Sequence, residues 1–454
     1  MRGPTPVPRP VGSASGGACR LLVVTYHFPS DGHVGGLRWA GITKYLTRLG
    51  WEVAVVTAAP PAGADGRAGA RVEWCPRLWT ILDACRWLAR LDQRARRSFA
   101  NEGDVARTSG PQGVLRDLRR EVAALLAFPD LSRGWLLRAA LRTRSLVRQF
   151  KPHVVVSSGP PHSAHVVAGI ATIGSPVPWF IDLRDPWAGP LGKAWDSDPK
   201  AQKLMARAVF PRLERRAFRV AAGVLTSTRQ LAEALAARYP KATITCVPNG
   251  VDPESLPPPR SDPYPGLGVA YAGTVYGRRD LSPVVMALRS FFGRHPEAAR
   301  VGSKLRLAGQ VEAAHAVAFA GVVGAAGLDQ YVELLGPLPR AEALHVVSRS
   351  RLAVVLAQDQ ELQIPAKLYE SVAMGIPTLV VAGAQSAAGV EGTRVGALVR
   401  DPRDVEGIAG VLERVWQDNS HRRARCPATI SYEAIAGQVE EVLRRNGVKA
   451  GPCG

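Results

Sequence analysis

The stretch "LLVVTYHFPSDGHVGGLRWAGITKYLTRLGWEVAVVT", residues 21–57, decides the fold class. Apolar runs at 21–26 and 52–58 predict two buried strands, and the amphipathic spacing of 37–50 predicts a helix between them. A strand, a helix and a second strand in this order form a βαβ unit, whose crossover helix places the two strands parallel. The chain therefore begins as a parallel α/β sheet.

The same alternation continues on both sides of a proline-rich bridge. Apolar runs at 153–159, 178–183 and 223–228 precede residues 248–266, which contain seven prolines, and five more such runs follow that bridge. A length of 454 residues suits about two to three domains. We therefore predict an α/β protein of two Rossmann-like domains facing across a cleft, because open parallel sheets bind ligands beyond the carboxyl ends of their strands.

This pattern also predicts the boundaries of each part of the chain. We expect a disordered tail over 1–18, a first domain over 19–250, a linker over 251–266, a second domain over 267–430, and a C-terminal helix and tail over 431–454 that returns to the first domain.

The positive charge is distributed unevenly. The net charge is +20, and residues 86–150 hold 14 arginines, six acidic residues and no lysine. A surface for anionic lipid or a polyanionic substrate and a solvated helical face explain this segment equally well. Nucleic acid is a weaker explanation, since no stacking aromatic pattern accompanies the arginines.

Targeting and redox signals point to the cytoplasm. The first 18 residues lack the apolar core of a signal peptide, and the apolar stretch 166–181 is interrupted by Gly174, Pro176 and Pro178, so no transmembrane helix is predicted. The six cysteines are scattered, which favours neither a disulfide framework nor a zinc site.

Six motifs follow one another along the chain. They are Gly35–Gly36 before a helix, "SSGPPHSAH" (157–165), "IDLRDPW" (181–187), "VPNGVD" (247–252), "YAGTVYGRRD" (271–280) and "IPAKLYESVAMGIP" (364–377). In this order they resemble the retaining GT-B glycosyltransferases of the glycosyltransferase family 4-like, group 1 type. That family includes bacterial sugar transferases of cell-envelope and exopolysaccharide assembly. The resemblance spans nearly the whole chain and implies the GT-B fold, with the nucleotide-sugar donor bound by the second domain.

The last motif carries two charges in an apolar segment. Pro365 suits the first turn of a helix, where free N–H groups and Lys367 can face a phosphate, and Glu370 lies on the same face. The resemblance implies that Glu370 holds the nucleotide ribose. An intrahelical Lys–Glu pair on a solvated face is the alternative. The family often carries another glutamate eight residues earlier; here that position is Leu362, and Glu361 is one residue out of register.

A second candidate site lies in the loop after the strand 269–273. Gly273 and Thr274 would let backbone N–H groups approach a diphosphate, while Arg278 and Arg279 would stabilise the departing charge. An ordinary turn with exposed arginines is the alternative. The resemblance adds Gly35 and Gly36 to the donor site.

The first domain offers candidates for catalysis and acceptor binding. His162 follows a strand on a proline-stiffened loop, and a structural histidine is an equally good explanation. Asp182, Arg184, Asp185 and Trp187 lie at the end of another strand, where the family has its acceptor side; an Arg–Asp pair that holds the loop is the alternative. Asp196–Asp198 resembles a metal-binding Asp-x-Asp motif of another fold, and such a triplet is expected by chance.

The sequence therefore predicts a retaining glycosyltransferase that moves a sugar from a nucleotide-sugar donor to a glycan or lipid-linked acceptor. Retention is implied by the resemblance alone. We assign Arg278, Lys367, His162 and Asp185 to catalysis, and we expect no metal, no cofactor and no nucleic-acid partner. We expect the protein in the cytoplasm, with the inner face of the membrane as a further location. A nucleotide-sugar 2-epimerase of the same fold and a catalytically idle binding subunit are the alternatives.

Overall fold

The first domain is built on a seven-stranded parallel sheet. The computed structural model describes residues 18–29, 34–60, 69–81, 83, 84, 87, 129, 130, 132–188, 209–258, 262–277, 279–418 and 427–446. The strands of this sheet are β1 (Arg20–Thr25), β2 (Glu52–Thr57), β3 (Arg71–Trp74), β4 (Val154–Gly159), β5 (Trp179–Leu183), β6 (Gly223–Thr226) and β7 (Ile244–Cys246). Their order is β3-β2-β1-β4-β5-β6-β7. Its helices are α1 (Val34–Arg48), α2 (Leu136–Gln149), α3 (Ser163–Ala171), α4 (Phe210–Val220) and α5 (Arg229–Arg238).

The second domain repeats this topology with six parallel strands. They are β8 (Gly268–Ala272), β9 (Lys304–Ala308), β10 (Val332–Gly336), β11 (Leu352–Leu356), β12 (Thr378–Val381) and β13 (Leu398–Arg400), in the order β10-β9-β8-β11-β12-β13. Its helices are α6 (Ser282–Arg294), α7 (Pro296–Arg300), α8 (Ala313–Ala325), α9 (Arg340–Ser348), α10 (Ala366–Ala373), α11 (Ala387–Arg394) and α12 (Val405–Gln417). The predicted α/β class with two Rossmann-like domains is confirmed.

Burial explains why these runs form parallel strands. All six residues of β4 and all five of β11 are buried, as expected for strands covered by helices on both faces. In each sheet the strand order reverses once, between β1 and β4 and between β8 and β11. Such switch points open a crevice at the carboxyl ends of the strands. Each domain therefore has a crevice at that end of its sheet.

The chain crosses between the domains twice, and the two crossings lie side by side. Val251 N donates to Ile430 O at 2.9 Å, and Tyr432 N donates to Val251 O at 2.9 Å. Helix α13 (Tyr432–Asn446) then packs its apolar face into the first domain's core, on the side of α1. Gly41 permits this approach, because a Cβ there would overlap the Tyr432 ring.

Several sequence predictions concern residues outside the described part of the chain. They are the tail over 1–17, most of the arginine-rich segment, Asp196–Asp198, Arg278, part of the linker (259–261) and the tail after 446. Within the described residues, none of the helices combines the length and apolar character needed to cross a bilayer.

Candidate active site

A cleft of about 1300 Å³ lies between the carboxyl ends of the two sheets. Both domains line it, and eight of the residues singled out from the sequence lie on its wall: Gly35, Arg184, Asp185, Gly273, Thr274, Arg279, Lys367 and Glu370. Gly36, His162 and Trp187 do not. The structure thus brings the candidates from β8, α10 and β5 together at one place.

Lys367 lies at the start of α10, against the loop that follows β8. Its Nζ is 4.6 Å from the centre of the Tyr271 ring, and a Cβ at position 273 would overlap Nζ. Gly273 has φ of +145°, a conformation that favours glycine. Burial, reinforced by the charge of Arg279 and opposed by Glu370, lowers the pKa of Lys367 to about 7. The negative charge of Glu370 does not compensate for the burial of the Lys367 ammonium group. A phosphate at this point would stabilise the charged form of Lys367.

Glu370 faces the cleft one turn further along α10. Its Oε1 accepts hydrogen bonds from Arg340 Nη2 at 2.6 Å and Arg340 Nε at 3.1 Å. The Glu370 side chain is 14% exposed and that of Arg340 is 31% exposed, so the pair is accessible from the cleft. The alternative of an intrahelical Lys–Glu pair on a solvated face does not describe this geometry, because the partner of Glu370 comes from α9.

The Gly273 loop adds a second cation to this side of the cleft. The Arg279 guanidinium lies 4.5 Å from the centre of the Tyr276 ring, and its buried Nε has no hydrogen-bond partner among the described residues. Gly309 allows the loop to pack closely, since a Cβ there would overlap Gly273 O. Arg278, its neighbour in the predicted site, lies outside the described residues.

Arg184 forms hydrogen bonds with the backbone of its own domain, the first. Its guanidinium donates to the carbonyl oxygens of Gly35, Gly159 and Pro160. These bonds tie the start of α1 to the loop after β4. The alternative was an Arg–Asp pair that holds the loop; among the described residues Arg184 and Asp185 form no direct ion pair, and Arg184 holds the loop through backbone carbonyl oxygens.

Asp185 joins the two domains at the cleft. Gln363 Nε2, from the loop before α10, donates to Asp185 Oδ1 at 2.8 Å. Burial raises the pKa of Asp185, although Arg184, Gln363 and Arg279 each act to lower it. A carboxyl group with a raised pKa at an interdomain contact can serve either as a ligand contact or as a proton carrier.

His162 and Trp187 are buried and do not lie on the cleft wall, where the sequence predicts them to lie. The two rings stack at 5.5 Å with an angle of 17° between planes, and their exposed fractions are 3% each. Burial lowers the pKa of His162 well below its usual value, with further contributions from His165 and Arg184. Both side chains pack behind the wall of the cleft, because the loop after β4 turns His162 inward and the segment after β5 turns Trp187 into the first domain's core. Gly36 is likewise buried, where a Cβ would lie 2.8 Å from the Phe28 carbonyl carbon.

Leu362 occupies the place of the family's first glutamate. Its backbone oxygen accepts from Thr228 Oγ1 of the first domain at 2.8 Å, and its side chain packs against the first domain's core. Glu361, the neighbouring acid, is exposed. The same loop contacts an acid on the cleft wall, Asp185, through Gln363.

The sequence singles out Asp182, but it does not predict that this carboxylate forms a buried ion pair with Arg38 beneath the cleft. Arg38 of α1 donates to Asp182 Oδ1 at 3.0 Å and to the carbonyl oxygens of Val247 and Pro248 at 2.8 and 2.7 Å. The other Asp182 oxygen accepts from Trp39 Nε1 and Ser158 Oγ, each at 2.7 Å. The available signal was an arginine between Leu37 and Trp39 in the apolar first half of α1, but its partner is 144 residues away.

The described residues contain no group of three or more His, Cys, Asp or Glu side chains arranged to hold a metal ion. On the second domain's side of the cleft, the described wall carries the cationic side chains of Lys367, Arg279 and Arg340.

Comparison with known proteins agrees with this architecture. A family model described as a glycosyl transferase 4-like domain matches residues 79–250. Sucrose-phosphate synthase from Thermosynechococcus elongatus has a TM-score of 0.56 at 15% identity, covering 94% of this chain and 98% of that one. HepE from Anabaena, solved with UDP-glucose, has a TM-score of 0.55 at 15% identity, covering 94% and 99%. The N-terminal domain of trehalose-6-phosphate phosphatase from Candida albicans has a TM-score of 0.54 at 11% identity, covering 96% of each chain. No curated protein matches the sequence. The fold is that of the GT-B glycosyltransferases.

Proposed function

We propose that the protein is a glycosyltransferase that moves a sugar from a nucleotide-sugar donor to a glycan or lipid-linked acceptor. The observation that carries the proposal is the position of Lys367 against Gly273, one helical turn before Glu370, on the wall of the interdomain cleft. A nucleoside diphosphate needs cations and N–H donors at its phosphates and an acceptor for its ribose hydroxyls. This corner of the second domain offers both within one turn and a half.

The diphosphate would lie between the Gly273 loop and the start of α10. Lys367 and Arg279 would stabilise the negative charge that develops as the sugar leaves. The pKa of Lys367 would rise from about 7 on contact with the diphosphate, since an adjacent negative charge favours the ammonium form. Glu370 would accept from the ribose, exchanging one of its bonds with Arg340 for bonds to the hydroxyl groups.

The first domain would supply the acceptor side. Asp185 and Gln363 lie where the two domains meet, so they would contact the transferred sugar or the attacking hydroxyl. Catalysis would consist of positioning and charge stabilisation, since Lys367 and Arg279 lie together on the described cleft wall. We infer retention of the anomeric configuration from the sequence resemblance, with the acceptor attacking from the leaving-group face and the donor phosphate taking the proton. A role in cell-envelope or exopolysaccharide assembly rests on the same resemblance.

The test begins with UDP-glucose, the ligand of HepE, and continues with other nucleotide sugars. Release of the nucleoside diphosphate is followed with and without glycan and lipid-linked acceptors, and the product is examined by NMR. Acceptor-dependent release with an unchanged anomeric configuration is expected. Release with an inverted configuration would support the transferase activity and contradict the retaining mechanism.

Two other results would replace the proposal. An epimerised sugar formed from the donor alone would identify a nucleotide-sugar 2-epimerase. Nucleotide binding without turnover on any acceptor would identify an idle binding subunit, which Leu362 at the place of the family's first glutamate would help to explain.

A further inference from the structure

One surface of the first domain exposes large apolar side chains that the cleft does not use. We call it the tryptophan face and define it by Trp79, Ile81, Leu137 and Leu141. Their exposed fractions are 71%, 67%, 68% and 62%. Single exposed apolar residues are ordinary, but a group of this size on one surface is typical of a binding site.

The two parts of the tryptophan face are held together by direct contacts. Leu78 N donates to Gly134 O at 3.0 Å, just before α2, and a Cβ at position 134 would overlap Leu78 O. Further along α2, Arg142 Nη2 lies 2.6 Å from Glu73 Oε2 of β3. The segment from 74 to 81 therefore runs beside the first turns of α2, where Leu137 and Leu141 are exposed.

The charge of α2 is complementary to an anionic surface. The helix contains four arginines and no acidic residue, and Arg138 and Arg148 are exposed on the side of Leu137 and Leu141. Arg144 Nη1 donates to Ile173 O at 3.1 Å, and Ile173 is itself 65% exposed. An ordinary solvated face would carry the arginines without the exposed leucines and Trp79.

This combination fits a lipid bilayer better than a polar macromolecule. Tryptophan favours the boundary between lipid headgroups and acyl chains, and arginines on the same face pair with anionic headgroups. At such a boundary, exposed leucines enter the acyl region while arginines beside them stay at the level of the headgroups. A nucleic-acid site would require aromatic rings that stack on bases within a cationic groove. The exposed leucines do not serve that purpose.

The position of the tryptophan face relates it to the cleft. The strands of the first sheet are parallel and end at the cleft edge, and the segment that carries Trp79 leaves β3 at its carboxyl end, Trp74. A bilayer at this face would therefore lie beside the cleft edge of the first domain.

We propose that the tryptophan face docks the protein on an anionic membrane leaflet. Trp79, Ile81, Leu137 and Leu141 would enter the headgroup boundary, while Arg138 and Arg148 would contact lipid phosphates. The docking depends on neither donor nor acceptor, so it can be tested whether or not the protein transfers sugar.

The test is flotation of the full-length protein with vesicles of phosphatidylcholine alone and of phosphatidylcholine mixed with phosphatidylglycerol, at low and high salt. Binding is expected with the anionic vesicles and should fall at high salt, because screening acts on exposed charges. The double variant Arg138→Gln/Arg148→Gln should bind about 25-fold more weakly at low salt, about fivefold for each arginine. Leu137→Ser/Leu141→Ser should bind at least about tenfold more weakly at both salt concentrations.

Matched controls come from the second domain. Val317 and Leu334 are 83% and 59% exposed, so Val317→Ser/Leu334→Ser removes similar exposed apolar groups elsewhere and should float like the wild type. Thermal unfolding of every variant establishes that the fold is intact. Equal flotation of the tryptophan-face variants and the control would overturn the proposal. So would a dimer in sedimentation velocity that Leu137→Ser/Leu141→Ser dissociates, in the absence of vesicle binding.

Discussion

Replacement of Glu370 by alanine tests the donor site most directly. In the structure its carboxylate accepts two bonds from Arg340 and faces the cleft, one turn beyond Lys367. In our proposal the same carboxylate accepts from the ribose hydroxyl groups. Glu370→Ala removes these acceptors and leaves Arg340 partly exposed to water, so it does not strand a buried charge.

The size of the effect follows from the bonds that are lost. Hydrogen bonds to a charged group contribute about 1.5–3 kcal/mol each, and a water molecule can replace one of them at small cost. The lost pair with Arg340 contributes about 0–1 kcal/mol to stability, because both side chains remain accessible to water. Binding of UDP should therefore weaken by about 1.5–4 kcal/mol, which is roughly tenfold to a thousandfold.

Isothermal titration calorimetry with UDP and with uridine measures this effect. Glu370→Ala should weaken both ligands, since both carry the ribose. Glu342→Ala removes an exposed acid from α9 and should leave both affinities unchanged. Near-wild-type affinity in folded Glu370→Ala would refute the reasoning. Glu370 would then serve only to hold Arg340, and the ribose site would have to be elsewhere in the cleft.

The other predictions concern charge, burial and packing. The affinity for UDP should fall as the pH rises from 6 to 9, because the free Lys367 ammonium, with a pKa of about 7, loses its proton; Lys367→Arg should give a flat titration over the same range. Asp182→Ala should destabilise the protein by about 3–5 kcal/mol in urea unfolding, because it leaves Arg38 buried without its partner, and a loss below about 1 kcal/mol would contradict this. Gly36→Ala should cost about 1–3 kcal/mol through overlap with the backbone at residue 28, whereas Gly437→Ala, with no atom within 4 Å of its new Cβ, should be neutral or stabilising by up to about 1 kcal/mol. Chelation with EDTA should leave UDP binding unchanged, since side-chain cations face the diphosphate; a loss restored by Mg²⁺ would contradict the assignment.

Much of the fold could be predicted from local sequence. The central strands are continuous apolar runs because helices cover both of their faces, and such runs stand out between amphipathic helices. The edge strands β3, β7 and β13 escaped prediction. They are three or four residues long and largely half-buried, so neither their length nor their hydrophobicity separates them from loops.

Some features of the candidate site could likewise be predicted from local sequence, and others could not. Lys367 and Glu370 could be placed on one face because the helical repeat alone relates residues three apart. Arg340, which holds Glu370, lies 30 residues earlier on another helix, and no local pattern relates the two. His162 and Trp187 follow strands at the correct edge, yet their side chains turn into the core. A position just after a strand places a residue at the carboxyl end of the sheet. The packing of the following loop then decides whether its side chain faces the cleft.

The sequence by itself determined the parallel α/β class, the two-part organisation and the spacing of Lys367 and Glu370, because these depend on periodicity over a few residues. Only the tertiary structure decided that Arg38 neutralises Asp182, that Gln363 holds Asp185 across the domains and that Leu362 packs against the first domain. Each of these pairings joins residues more than 100 positions apart. Their distances depend on how the two sheets and the helices of the described residues pack together, and that packing follows from the burial of the core.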